Sequence, residues 1–213
     1  MIGRFPLSAA RARCRFPPAV SPNAATLRLA AFPRTGLLAD VALVVAGAAL
    51  IALAAQVRIP TGLSPVPITG STFAVLLVGA SLGSLRGITS TGLYVAAGIA
   101  GAPVYTGGNA GWEYFAGATG GYLVGFVLAA AVTGFLAERG WDRRFSSATA
   151  AMLAGSVAIY AVGLPWLAAS AQLSFEQTLT QGLALFVVGD LLKLYLAAAL
   201  LPAAWAAVRR FRG

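Results

Sequence analysis

Two ionisable residues, Asp190 and Lys193, interrupt the last long apolar run of the chain, ALFVVGDLLKLYLAAALLPAAW. A charged side chain at the centre of a membrane helix costs about 2.5–3.5 kcal/mol on insertion scales. The i, i+3 spacing places both head groups on one face of a helix, as neighbours. We therefore predict a polar site inside a membrane domain, with a carboxylate acceptor beside an ammonium donor. The alternative is an internal ion pair that only neutralises itself.

The composition is that of an integral membrane protein. Of the 213 residues, 59% are hydrophobic and 10% are charged, and the mean hydropathy is +0.82. Soluble domains carry about 25% charged residues. The chain has no histidine and a single cysteine, Cys14, so it lacks the commonest general base and cannot form an internal disulfide or a cysteine metal site. We expect no catalytic residues, no metal and no cofactor.

Six apolar segments predict six transmembrane helices, and hence an all-α integral membrane protein with ordered outer loops. The segments cover about 37–57, 71–86, 87–102, 120–138, 147–170 and 182–207. The second and third are short for a span, which needs about 20 apolar residues. Arg86, with glycines on both sides at Gly83 and Gly87, favours a tight turn between them. The alternative is a single longer helix and five spans.

The distribution of basic residues indicates the orientation in the membrane. Thirteen of the 15 Lys and Arg residues fall in the N-terminal segment, two inter-helix regions and the C-terminal tail, and the predicted outer loops hold only Arg58. Because cytoplasmic flanks carry the excess of Lys and Arg, both termini are predicted to be cytoplasmic in a multi-pass plasma membrane protein. A nucleic-acid partner is not expected, since such proteins gather basic residues on one folded surface.

The chain divides into three parts. Residues 1–36 carry six arginines and no acidic residue, and we interpret them as a basic, mostly disordered cytoplasmic arm. Residues 37–208 form the predicted six-helix substrate-binding domain, and residues 209–213 a basic cytoplasmic tail. No G-x-x-x-x-G-K-[ST] phosphate-binding loop occurs, so the chain is not expected to use ATP by itself.

Two long outer regions differ from ordinary linkers. The first, RIPTGLSPVPITGS (58–71), contains three prolines, which exclude a continuous helix. The second, GAPVYTGGNAGWEYFAGATGG (101–121), is rich in glycine and aromatic residues. Irregular backbone at membrane depth is tolerated only where it is buried or lines a cavity. We therefore expect both loops to wall a pocket that opens outward.

These segments together resemble the BioY family, the biotin-binding S components of bacterial energy-coupling factor (ECF) transporters. The resemblance extends from about Ala48 to Ala204 and is carried by SPVPITGSTFAVLLVGASLG, GLYVAAGIAGAPVY, TGGNAG, GATGGYLVGF and GDLLK, in that order. It implies an S-component fold, an outward-facing biotin pocket, and a role in vitamin uptake rather than catalysis. The implied partners are biotin, membrane lipid, a transmembrane coupling subunit and two ABC-type ATPase subunits.

The resemblance and the chemistry of biotin suggest roles for eight residues. The ureido group of biotin offers two N–H donors and a carbonyl acceptor, so Asp190 is expected to accept from an N–H, while Lys193 pairs with Asp190 or donates to the carbonyl. Asn109 resembles the family's loop asparagine and also suits the ureido group, and Arg58 is a candidate partner for the carboxylate. The expected apolar walls are Trp112, Tyr122, Tyr160 and Trp166.

Each of these loop and aromatic residues has an alternative interpretation. Asn109 follows Gly108 and suits a turn position that requires positive φ. Arg58 suits the membrane interface, and tryptophan and tyrosine are enriched in interfacial belts. Small residues lie four apart on the first helix, Ala42 with Ala46 and Ala48 with Ala52, and they resemble a docking face for the coupling subunit.

Three other functions stay open at this point. The first is an S component for another vitamin, such as a thiamine- or riboflavin-like ligand. The second is an intramembrane enzyme acting on lipid substrates, for which one Asp, one Lys and no histidine is an unusual set. The third is a membrane scaffold, which leaves the charged pair and the ordered loops unexplained.

Overall fold

The computed structural model describes residues 26–31, 36–59, 62 and 64–212, and these form an all-α bundle with one short strand pair. In chain order the elements are α1 (Leu27–Ala31), α2 (Leu37–Gln56), β1 (Arg58–Ile59), β2 (Ile68–Thr69), α3 (Ser71–Leu82), α4 (Ser84–Ile99), α5 (Trp112–Ala116), α6 (Gly120–Glu138), α7 (Phe145–Ala171), α8 (Phe175–Leu179) and α9 (Leu185–Arg212). Short 3₁₀ turns lie at Thr106–Gly108 and Trp141–Arg143, and a π-helical turn at Thr180–Ala184 connects α8 to α9.

All six predicted apolar segments are helical, but only four helical segments among the described residues are long and apolar enough to cross a membrane. These are α2, α6, α7 and the continuous segment from α8 through α9. The two shorter helices, α3 and α4, have 12 and 16 residues. The all-α membrane class is therefore confirmed, while the predicted count of six transmembrane helices is too high by this measure.

A glycine turn is the physical reason that α3 and α4 are short. Gly83 adopts φ +88°, a backbone conformation that other residues rarely take, and it ends one helix and begins the next. A Cβ on Gly87 would lie 2.9 Å from the Cα of Gly79, so the two helices fold back closely on one another. This is the tight turn that the sequence predicted, rather than one long helix.

Part of the predicted N-terminal arm is helical. Residues 26–31 contain α1, and Arg28 in this helix is buried and contacts the carboxylate of Asp40 in α2. The same carboxylate accepts hydrogen bonds from Arg86 in α4, at 3.2 Å from Nε and 3.0 Å from Nη2. Three charges thus connect α1, α2 and α4. The remaining arm residues lie outside the described ranges, apart from Gly36, and the disordered arm stays a prediction for them.

The ends of the helices on this side of the bundle are linked by further polar contacts. The Ser84 N–H and hydroxyl donate to Glu138, at 2.7 and 2.8 Å. The indole N–H of Trp205 donates to buried Asp142, whose pKa is raised by burial although this hydrogen bond opposes the shift. We call this side the arginine-rich end, because it carries Arg86, Arg139, Arg143, Arg144, Arg209 and Arg210.

Small residues bring the central helices α6 and α7 into close contact. A Cβ on Gly125 would lie 2.8 Å from the carbonyl oxygen of Ile159, and a Cβ on Gly121 would lie 2.2 Å from the Cβ of Trp166. Such residues let helix backbones approach closely, which in a membrane compensates for the missing hydrophobic drive between helices. This contact fixes the aromatic side chains of both helices relative to one another.

The opposite side of the bundle, which we call the loop end, contains the two predicted outer regions. In the first, β1 pairs with β2 in antiparallel register, Arg58 opposite Thr69 and Ile59 opposite Ile68. In the second, the Thr106–Gly108 turn and α5 form a folded cover. The described parts of both regions are therefore structured, as the sequence predicted.

Candidate ligand-binding site

A cavity lies at the loop end, between the helices and the two structured loops. Its empty space is about 530 Å³, counted to include its open mouth. The lining residues come from both loops and from α3, α4, α5, α6, α7 and α9: Val66, Pro67, Thr69, Ser71, Thr72, Tyr94, Tyr105, Thr106, Tyr114, Thr119, Tyr122, Leu123, Phe126, Ile159, Tyr160, Phe186, Asp190 and Lys193.

The polar centre of this cavity is the carboxylate of Asp190. Its Oδ1 lies 2.9 Å from the Lys193 ammonium and accepts a hydrogen bond from the Thr72 hydroxyl at 3.3 Å. The ammonium also donates to the Thr72 oxygen, at 3.4 Å. The other carboxylate oxygen, Oδ2, accepts from the Tyr160 hydroxyl at 2.5 Å. Three helices, α3, α7 and α9, thus meet at one acidic group.

The burial of this cluster suits it to ligand exchange. The side chains of Asp190 and Lys193 are 13% and 19% exposed, so both charges are largely withdrawn from water but reachable from the cavity. Each charge compensates the other, which makes the partial burial tolerable. A carboxylate offers about four lone-pair sites and an ammonium three donors, so both groups retain capacity for a polar ligand.

One aromatic wall of the cavity is formed by Tyr122, Tyr160 and Phe186. The Tyr122 ring meets the Tyr160 ring edge to face at 6.3 Å and lies tilted to Phe186 at 6.4 Å. The Tyr122 hydroxyl donates to the carbonyl of Gly182 in the π-helical turn, at 2.9 Å. This wall holds Tyr160 in the position from which it reaches Asp190.

A second aromatic wall is formed by Tyr94, Tyr105 and Tyr114. Tyr105 is fully buried, meets Tyr94 edge to face at 5.6 Å, and stacks on Tyr114 at 5.3 Å. Its hydroxyl donates to the carbonyl of Val95 at 2.7 Å. Burial raises the pKa of Tyr105 to about 12, so it stays a neutral donor at physiological pH. Both aromatic groups line the cavity and offer apolar surface to the body of a ligand.

The other four predicted site residues do not line the cavity. Trp112 is 64% exposed. Trp166 packs on Gly121 and donates its indole N–H to the carbonyl of Gly117, at 3.0 Å, so it supports the cover from outside. A direct ligand contact by either tryptophan stays a prediction.

The two predicted polar loop residues also lie outside the cavity. Asn109 is exposed and its amide donates to the carbonyl of Thr106, at 2.7 Å, so it belongs to the turn, but its φ is −67° and not the positive φ that the alternative invoked. Arg58 is exposed on β1, and its guanidinium lies against Gly107, where an added Cβ would be 2.4 Å from Nη1. It therefore borders the turn that carries Thr106.

Sequence reasoning missed several lining residues, above all Thr72 and Tyr105. The hydroxyl of Thr72 meets Asp190 across 118 positions of the chain, and no local pattern signals such a pairing. Tyr105 lies within a glycine-rich loop that was predicted to wall the pocket, so the loop was identified but not the residue. The T-G-G that follows Tyr105 is a turn signal, and a 3₁₀ turn lies there, but this signal does not indicate that the tyrosine faces the cavity.

Tyr160→Phe is expected to weaken ligand binding about three- to tenfold with little loss of stability. The ring and its packing on Tyr122 remain, while the hydrogen bond to the Asp190 carboxylate is lost; a hydrogen bond to a charged group is worth about 1.5–3 kcal/mol, and water or ligand can replace part of it. Calorimetric titration and thermal unfolding would measure both. Equal affinity of the variant and the parent would show that this hydroxyl does not orient the carboxylate.

The fold and the site together define a membrane-embedded binding protein for a small molecule. The family model described as the BioY family matches residues 23–210. The biotin transporter BioY of Rhizobium etli is 37% identical over 160 residues, covering 72% of this chain and 85% of the relative. That of Thermotoga maritima is 38% identical over 150 residues, covering 70% and 86%.

A solved structure gives the same result at the level of the fold. The crystal structure of the S component for biotin from an ECF-type ABC transporter superposes with a TM-score of 0.70 and 26% sequence identity. The alignment covers 78% of this chain and 90% of that one. This chain belongs to the BioY family.

Proposed function

We propose that this chain is the biotin-binding S component of an ECF transporter and takes part in biotin uptake. The observation that carries the proposal is a cavity with one charged pair between two aromatic walls, in a member of a family whose relatives are named biotin transporters. The protein acts in the plasma membrane with the loop end outside and the arginine-rich end in the cytoplasm, which agrees with the excess of arginines there.

The chemistry of the cavity matches the bicyclic head of biotin. The Asp190 carboxylate can accept from a ureido N–H, and the Lys193 ammonium, 2.9 Å away, can donate to the ureido carbonyl. The tyrosine walls suit the fused rings and the thioether. In this arrangement the ligand's own donors and acceptor take over part of the bonding that the pair makes with Thr72 and Tyr160 in the ligand-free protein.

The carboxylate of biotin then points toward the mouth of the cavity. Among the described residues that line the cavity, Lys193 is the one cation, and it is engaged at the polar centre. Arg58 lies next to the turn that carries Thr106, so it can meet a carboxylate at the mouth rather than inside. Arg58 therefore stays the proposed partner of the biotin carboxylate.

The energising partners are a transmembrane coupling subunit and two ABC-type ATPase subunits. The chain has no phosphate-binding loop of its own. Helix α2 exposes Ala42 and Ala46 four residues apart, whereas Ala48 is buried in the bundle. A face of small residues permits close helix contact, so we place the coupling subunit on α2.

The rival ligands fit the cavity less well. A cationic vitamin such as thiamine needs unpaired acidic groups, and among the described lining residues the one carboxylate, Asp190, is already paired with Lys193. An intramembrane enzyme is disfavoured because the chain belongs to a family named for transport.

Uptake of radiolabelled biotin would test the proposed function. Bacteria that lack their own biotin uptake would express the chain with and without a coupling subunit and its ATPases. We expect uptake above the empty-vector level when the module is present, competed by unlabelled biotin and not by thiamine or riboflavin. A correctly inserted chain that gives no biotin uptake under either condition would contradict the proposal.

A further inference from the structure

The last residue of α2, Gln56, makes an unusual set of contacts for an exposed side chain. Its amide nitrogen donates toward the carbonyl of Tyr105 at 3.1 Å and lies 3.4 Å from the carbonyl of Val104. Its amide oxygen accepts from the N–H of Gly108 at 3.2 Å. The nitrogen also reaches the Ala52 carbonyl in its own helix, at 3.1 Å. One side chain thus binds both ends of the turn that carries Tyr105.

The turn is closed by its own backbone bonds, from the N–H of Gly108 to the carbonyl of Tyr105 and from the N–H of Tyr105 to the carbonyl of Asn109, each at 3.0 Å. Gly107 and Gly108 both adopt positive φ, +72° and +77°, and have no side chain with which to hold the turn down. Gln56 adds bonds that join this closed turn to the end of α2, and its amide offers the Val104 carbonyl a partner that water would otherwise provide. Without it, the backbone of the turn gains freedom to separate from the end of α2.

The next residues of the chain hold the opposite side of the cavity. The Val57 carbonyl accepts from the N–H of Gly70 at 3.0 Å, and Arg58 pairs with Thr69 in the strand ladder. Thr69 and Tyr105 both line the cavity. The segment 56–59 therefore connects both loop walls to the end of one helix, through Gln56 on one side and the β1–β2 pair on the other.

We propose that Gln56 is a positioning residue that latches the 104–108 turn over the ligand cavity. It does not line the cavity, and it acts through Tyr105 and Thr106, which do. The Gln56 hydrogen bonds keep the Tyr105 wall closed while ligand is bound. Losing these bonds is therefore expected to raise the ligand dissociation rate more than it changes the association rate. The ligand assumed for this readout is biotin, so this part rests on the proposed function.

The test compares Gln56→Met with Gln172→Met. Methionine keeps the length of glutamine and removes its hydrogen bonds. Gln172 is a matched control, because it is exposed at the loop-end terminus of α7 and its amide donates to the Ala169 carbonyl of its own helix, at 2.8 Å. We expect Gln56→Met to raise the biotin dissociation rate about tenfold and change the association rate less than about threefold. Gln172→Met is expected to leave both rates at the parent values.

A second readout does not depend on the ligand. Hydrogen exchange in the ligand-free protein is expected to be faster across 104–109 in Gln56→Met and unchanged in the control. Gln56→Glu retains an acceptor for Gly108 but cannot donate to Tyr105, so it is expected to behave like Gln56→Met, and it serves as the test variant if the methionine variant does not fold.

The two readouts separate the two hypotheses. If the parent binds biotin and the Gln56 variants keep the parent dissociation rate and exchange, the latch is refuted and the proposed function stands. If the parent does not bind biotin, the proposed function fails, and the exchange experiment alone decides whether Gln56 holds the turn.

Discussion

Asp190→Asn is expected to lower biotin affinity at least tenfold, about 1.4 kcal/mol. Asparagine keeps the shape of the side chain but lacks the negative charge. In the parent, the Asp190 carboxylate accepts hydrogen bonds from Lys193 and Tyr160, and we propose that it accepts one from the ligand. The single change also leaves the Lys193 ammonium, which is 19% exposed, without its counter-ion. Calorimetric titration would measure the affinity, and thermal unfolding in detergent would measure the accompanying loss of stability.

The matched controls are Lys193→Met and the double variant Asp190→Asn/Lys193→Met. Breaking one partner of a buried ion pair is more costly than removing both, because the remaining charge is uncompensated. We expect both single variants to lose stability, and the double variant to regain part of it. Biotin affinity is expected to stay low in all three. Parent-like affinity in any folded variant that lacks Asp190 would remove this carboxylate from the site.

Gly98→Ala is the second change expected to have a large effect, because it forces Tyr105 out of place. A Cβ on Gly98 would lie 2.2 Å from Cζ of the Tyr105 ring, and Tyr105 is fully buried between Tyr94 and Tyr114. Overpacking of this kind costs about 1–3 kcal/mol. The displaced ring would occupy the cavity or open its wall, so we expect biotin affinity to fall by more than about tenfold.

Gly92→Ala in the same helix is the matched control. No atom lies within 4 Å of an added Cβ at Gly92, and alanine is favoured over glycine in a helix interior by about 0.5–1 kcal/mol. Its stability and affinity are expected to equal or slightly exceed those of the parent. If Gly98→Ala binds biotin as well as Gly92→Ala does, Tyr105 is not a fixed wall of the site.

Asp190 and Lys193 were predicted to lie side by side at a polar point in the membrane domain, and they do; their role in ligand binding stays a prediction. Because a charge inside an apolar run is rare and costly, Asp190 and Lys193 could be selected as candidate site residues from the sequence alone. The pair is formed at 2.9 Å and faces the predicted cavity. The glycine turn near Gly83 was predictable in the same way, because glycine has a strong local conformational signature.

The remaining parts depend on tertiary contacts that local patterns do not encode. Thr72 resembles any other threonine at the start of a helix until α9 brings Asp190 to it. Trp166 was predicted to wall the ligand; its indole packs on Gly121, which has no side chain, and donates to the Gly117 carbonyl, and a ligand contact by it stays a prediction. Aromatic composition indicated a pocket, but which rings face inward is decided by packing.

The most direct test of the central claim is a calorimetric titration of the detergent-purified 213-residue chain with biotin, with thiamine and riboflavin as comparison ligands. We predict tight one-to-one binding of biotin and no measurable binding of the other two. Folded protein that binds thiamine or riboflavin instead would keep the S-component fold and overturn the assigned ligand. Folded protein that binds none of the three would contradict the proposal that this cavity is a vitamin site.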